Sequence, residues 1–72
     1  MAELSEEFEY FTYLLKCYAE RKNMTAWNVL QEWEKHDIVA KIFKNYWIYH
    51  TESMENAFRD IDSLLATGKY AW

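Results

Sequence analysis

The chain has no proline, one glycine and one cysteine among its 72 residues. Almost no position therefore forces a break or a left-handed backbone, and helix is permitted nearly throughout. The lone Cys17 excludes an intramolecular disulfide, and no paired Cys/His spacing of a zinc site is present. Long apolar runs are missing too: none approaches the roughly 18 to 20 residues that span a bilayer. The stretch from Met1 to Glu9 holds four glutamates, with no basic residue before Lys16, the opposite of a signal peptide. A cytoplasmic protein without metal or cofactor is expected. Basic excess is lacking as well. Twelve acidic and eight basic side chains give a formal net charge of −4, which argues against a protein whose main work is gripping phosphate backbones.

What is abundant is apolar and aromatic. The chain is 51% hydrophobic, with six tyrosines, four tryptophans and four phenylalanines, the composition of a folded globule rather than a disordered tail. Each large ring buries about 150 to 250 Å², which helps a short chain build a core. A domain this small still cannot hide every ring. Some are expected at the surface, or under a partner.

Caps and charge breaks supply the punctuation. They predict one all-α domain of four helices, at about 5–21, 25–36, 37–49 and 53–66, with a tail over 67–72. Short connections favour an up-down, bundle-like arrangement. Ser5, with Glu6 and Glu7 after it, suits a helix start. Thr25 caps the second helix, with Met24 and Val29 spaced as a hydrophobic staple. Asp37 is expected to cap the third helix and Thr51 the fourth, with Ser53 as a second candidate. Gly68 suits the final stop.

At 100° per residue, Phe8, Phe11, Thr12, Leu15, Tyr18 and Ala19 share one arc of the first helix, the expected core face. Tyr10, Tyr13, Leu14 and Cys17 lie towards the other side. Either the domain wraps around this helix and buries both sides, or the second side docks a partner. In the second helix Ala26, Val29, Leu30 and Trp33 form the apolar arc, and Trp27 stands outside it. In the third, Ile38, Val39, Ile42, Phe43, Tyr46 and Tyr49 are apolar, while Lys41, Lys44 and Asn45 face away. The fourth is the cleanest, with Met54, Ala57, Phe58, Ile61, Leu64 and Leu65 inward.

Chemistry-bearing residues are sparse. Glu32 and His36 stand one turn apart but have no further ligand for a metal, and His36 suits the carbonyl end of the second helix. His50, Thr51 and Glu52 are adjacent, so they do not face one another as a nucleophile and base would; His50 is expected to bond backbone in the turn. Cys17 has no histidine to activate it and reads as a small hydrophobe. Asp60 borders the core edge beside Leu64, and Asp62 is expected in solvent. The two point to different sides and do not pair for acid and base work. A recognition-helix role for Lys41, Lys44 and Asn45 meets a charge objection: residues 16–44 hold six basic and four acidic groups, few for phosphate contacts.

The order of short motifs, Met24-Thr25, Lys35-His36-Asp37-Ile38, Tyr49-His50-Thr51 and Asp60-Ile61-Asp62, resembles a family of small bacterial proteins, domain of unknown function 3791, over about Phe11 to Leu65. Ala26 and Asp37 depart from it, standing where that pattern often has glycine. The resemblance implies an all-helical cytoplasmic protein, often encoded beside other small proteins, some similar to ADP-ribosyltransferase-fold toxins. It therefore implies an antitoxin-like or accessory binding role, and it carries no catalytic residues.

The residues and the resemblance together predict a non-enzymatic protein-binding module. Its anchors would be Tyr10, Tyr13, Leu14, Cys17, Trp27 and Trp72, ringed by Glu6, Glu9, Glu20 and Glu34 and steered to a basic partner surface. The alternatives are a homodimer that uses the same aromatics, a weak DNA-binding regulator on the third helix, and an enzyme built on His50 or Cys17.

Overall fold

A computed structural model describes residues 5–71. Five helices follow one another: α1 (Glu6–Lys22), α2 (Ala26–Lys35), α3 (Ile38–Lys44), α4 (Tyr46–Tyr49) and α5 (Met54–Thr67). The described residues contain no strand.

Local chemistry explains the helix ends. Ser5, Thr25 and Ser53 sit in extended backbone, and each side chain accepts a hydrogen bond from the amide three residues on, at 3.1, 3.1 and 3.3 Å. Each thereby satisfies one amide that its helix leaves free. α1 stops at Asn23, a left-handed residue (φ 56°) whose amide reaches the Glu20 carbonyl while Met24 N–H reaches that of Ala19. This pair of bonds is a Schellman closure.

Two expected caps differ. Asp37 makes no side-chain cap bond. It is left-handed (φ 59°) and its amide donates to the Glu34 carbonyl, so it ends α2 in the conformation glycine adopts most easily. Thr51 does not cap α5 either: its hydroxyl donates to the Ile48 carbonyl, and Ser53 is the cap.

The helix expected over 37–49 is broken at Asn45. Its side-chain amide donates back to the Lys41 carbonyl at 3.0 Å and to the Tyr70 hydroxyl at 2.7 Å. Local bonding of this kind competes with the helix ladder. α4 then resumes for a single turn.

The core is a ring of large side chains around Trp33. Phe11 and Tyr18 of α1 meet its indole edge-on at 5.9 and 5.3 Å, and Tyr18 meets Phe58 of α5 at 5.7 Å. Leu14, Val29, Ile38, Ile42, Tyr49, Ala57, Ile61 and Leu64 close the remainder. α5 is tied to α1 by reaching side chains as well: the Tyr18 hydroxyl donates to Asp62 at 2.7 Å, Lys22 pairs with Asp62 at 3.1 Å, and Arg21 pairs with Glu55. The Cα radius of gyration is 11.7 Å, near the ~11 Å of a compact chain of this length.

Candidate functional site

α4 is one turn long, so its four residues cannot share one face. Tyr46 and Tyr49 turn inward and are buried, while Trp47 and Ile48 turn out. On the wheel begun at Ile38, Trp47 lies ~160° from the Ile38, Ile42 and Tyr49 stripe. Trp47 is 73% exposed, the most exposed large hydrophobic residue among the described residues.

Its ring is held nonetheless. The His50 imidazole stacks on the Tyr46 ring at 4.4 Å and 9°, and the indole meets these rings edge-on at 5.4 and 5.5 Å. The His50 Nδ1 lies 2.9 Å from the Tyr46 carbonyl oxygen. Since a carbonyl can only accept, Nδ1 carries the hydrogen. Tyr10 of α1 closes the cluster, 5.6 Å from Tyr46. Phe43, stacked on Phe11 at 5.1 Å, lies one turn before Trp47, and both Phe43 and Ile48 are over a third exposed.

The electrostatic surroundings are negative. The first turn of α1 supplies Glu6, Glu7 and Glu9, and Glu52 follows α4. Burial raises the Tyr46 phenol above its ordinary value, and the charges of Glu6, Glu7 and Glu9 raise it further. Burial, then Glu52, then Tyr46 push the Tyr10 phenol up to about 12. Each shift has the sign expected when burial and nearby negative charge disfavour a phenolate. Elsewhere Glu32, Asp37, Glu55 and Asp62 have cationic partners. Glu6, Glu7, Glu9 and Glu52 form no ion pair among the described residues.

The expected anchors divide. Trp27 and Tyr13 are exposed, at 66% and 59%, but neither is in ring contact with the Trp47 cluster. Leu14 is a correction: it is fully buried. Tyr10 and Cys17 are also corrections, half-buried and packed against the core. The buried side of α1 runs through Phe11, Leu14 and Tyr18, rotated from the expected arc, so that Phe8 and Thr12 are exposed instead. Because α1 is apolar on two sides, a helical wheel could not choose between them. Trp72 lies outside the described residues. Sequence reasoning missed Trp47, although its place opposite the stripe of its own helix was a usable signal.

The remaining polar candidates have structural partners. Asp60 is buried and accepts the Ala71 amide at 2.8 Å, which pins the tail. Asp62, expected in solvent, is instead bonded by Tyr18 and Lys22. Lys41 lies 3.6 Å from Asp37, and the Asn45 amide is used within the fold. His36 ends α2, its Nε2 3.9 Å from Glu32, which also lies 3.6 Å from Lys35. No group of three or more potential metal ligands occurs among the described residues. A shallow groove of about 200 Å³ lies among Tyr18, Met24, Val29, Trp33 and Leu65, with Glu32 and His36 also lining it. Neither Cys17 nor His50 lines it. No described helix is long and apolar enough to cross a membrane.

Residues 9–67 match the family described as protein of unknown function DUF3791. The chain belongs to that family. The matched region contains Tyr10, Tyr46, Trp47, His50 and Glu52, whereas Glu6 and Glu7 precede it. No curated protein and no solved structure gives a significant match.

Proposed function

We propose that this DUF3791 protein is a non-enzymatic, cytoplasmic docking module that holds a basic surface of another protein against the Trp47 face. One observation carries the reading: a tryptophan 73% exposed, held by two neighbouring rings and bordered by carboxylates without ion pairs among the described residues. A large amphipathic ring held in place loses little side-chain freedom on binding, which is why such rings anchor interfaces. The carboxylates add long-range attraction to a basic partner. They also oppose self-association, because a two-fold dimer through this face would bring both sets of glutamates together. In the form that the family resemblance suggests, the partner is a toxin-like protein and the module neutralises it.

The test is quantitative co-purification from the native host with the wild-type chain and Trp47→Ala, alongside light scattering of the isolated protein. A specific protein partner that is retained by wild type, lost with Trp47→Ala and released by raised salt supports the reading. A partner held equally by both chains refutes it. A dimer that dissociates on Trp47→Ala replaces it with the homodimer.

A further inference from the structure

Building on the docking reading above, we propose that the element recognised is an arginine side chain of the partner protein, its guanidinium laid against the Trp47 indole among Glu6, Glu7, Glu9 and Glu52.

Of the aromatic rings, indole attracts a cation most strongly, through the negative face of its π system. The chain uses its own cations in this way elsewhere: Arg21 lies 5.3 Å over Phe58 and Lys22 lies 5.4 Å over Tyr18. No cation of the described residues lies over Trp47, whose ring contacts are Tyr46 and His50. An exposed indole is thus left open at Trp47, as at Trp27, and Trp47 is the one in contact with Tyr46, whose phenol feels the charges of Glu6, Glu7 and Glu9. The carboxylates whose charge acts on Tyr46 and Tyr10 (Glu6, Glu7, Glu9 and Glu52) are likewise without ion pairs among the described residues, whereas Glu55 and Asp62 are paired to Arg21 and Lys22.

Arginine fits this combination better than lysine. Its guanidinium is planar, so it can lie flat on the indole, and it is weakly hydrated, so it gives up less on leaving water. Its five donors can reach carboxylates at the rim while the plane stays stacked. The exposed Ile48 and Phe43 offer apolar surface to the methylene stem.

The experiment titrates the full chain, by NMR at low salt, with an acetylated and amidated tripeptide carrying arginine between two glycines. Matched peptides carry lysine or the uncharged isostere citrulline. The Trp47 indole N–H, assigned by its loss in Trp47→Phe, should shift saturably with arginine, with lysine weaker by about 3-fold and citrulline giving no saturable shift. Trp47→Ala should weaken arginine binding by about 5-fold or more. The quadruple change of Glu6, Glu7, Glu9 and Glu52 to Gln should remove its salt dependence. Circular dichroism checks that each variant folds.

Citrulline binding as well as arginine, arginine binding unchanged by Trp47→Ala, or no saturable shift with arginine would each overturn the inference. Should the arginine titration fail while partner capture still depends on Trp47, the arginine assignment falls and the docking reading stands. Capture that ignores Trp47→Ala sinks the docking reading itself.

Discussion

Leu14→Ala separates the core from the surface on the helix where sequence reasoning could not. A 72-residue domain has roughly 4 to 11 kcal/mol of stability in total. Leu14 is fully buried between Phe11 and Tyr18 on α1, so truncation removes its transfer free energy and leaves a cavity, at a cost of about 3 to 5 kcal/mol. In a domain this small each kcal/mol moves the melting temperature by about 4 to 8 °C, so the loss should be at least about 12 °C. In urea the midpoint should fall by about 3 to 5 M if the slope is ~1 kcal/mol/M. Trp47→Ala, a larger deletion chemically, should cost under about 1 kcal/mol, because most of that ring is already in water. Paired thermal and urea melts of the two variants decide the matter. If Leu14→Ala loses less than about 1 kcal/mol, or Trp47→Ala loses as much as Leu14→Ala, then Leu14 does not sit in the core while Trp47 stays outside it, and the reasoning fails.

Asp37→Gly should stabilise the protein by about 0.5 to 1 kcal/mol, since glycine relieves the left-handed backbone and only the exposed pair with Lys41 is lost; destabilisation in a melt would show that the side chain matters more than the backbone. Asp60→Ala should cost about 1 to 3 kcal/mol and release the tail, seen as rapid hydrogen exchange at the Ala71 amide, whereas Asp60→Asn keeps an acceptor and most of the protection; an equally protected amide in Asp60→Ala would contradict the pin. The Tyr10 phenol, at about 12 when folded against an ordinary value of 10, holds its proton more tightly in the native state. Its contribution to stability is therefore full below pH 10 and is lost as pH rises from 10 towards about 12. Tyr10→Phe should make the alkaline loss shallower across that window in pH-dependent denaturation, and an unchanged slope would refute the shift.

Much of the fold was legible because it depends on short-range chemistry. Ser5 and Thr25 cap helices because a hydroxyl meets an amide three residues on, Ser53 was a candidate for the same reason, and Gly68 ends α5 in the left-handed region (φ 76°) that suits glycine. The all-helical class followed from the absence of breakers and the apolar stripe of α5. Asp37 shows where local reasoning divides: an aspartate can start one helix or end another, and only the backbone angle reveals which.

Composition and spacing alone dictate a helical domain with more aromatic rings than its interior needs. Which rings stay outside was a tertiary decision. α1 is apolar around much of its circumference, so its orientation depended on Trp33 and Phe58 arriving from α2 and α5 to take Phe11 and Tyr18. The Asn45 break, tied to Tyr70 twenty-five residues away, cut the third helix in two, although the outward place of Trp47 could be read from the Ile38, Ile42 and Tyr49 stripe. Ring contacts between segments distant along the chain leave no periodicity to read, and on α1 they chose the outward face.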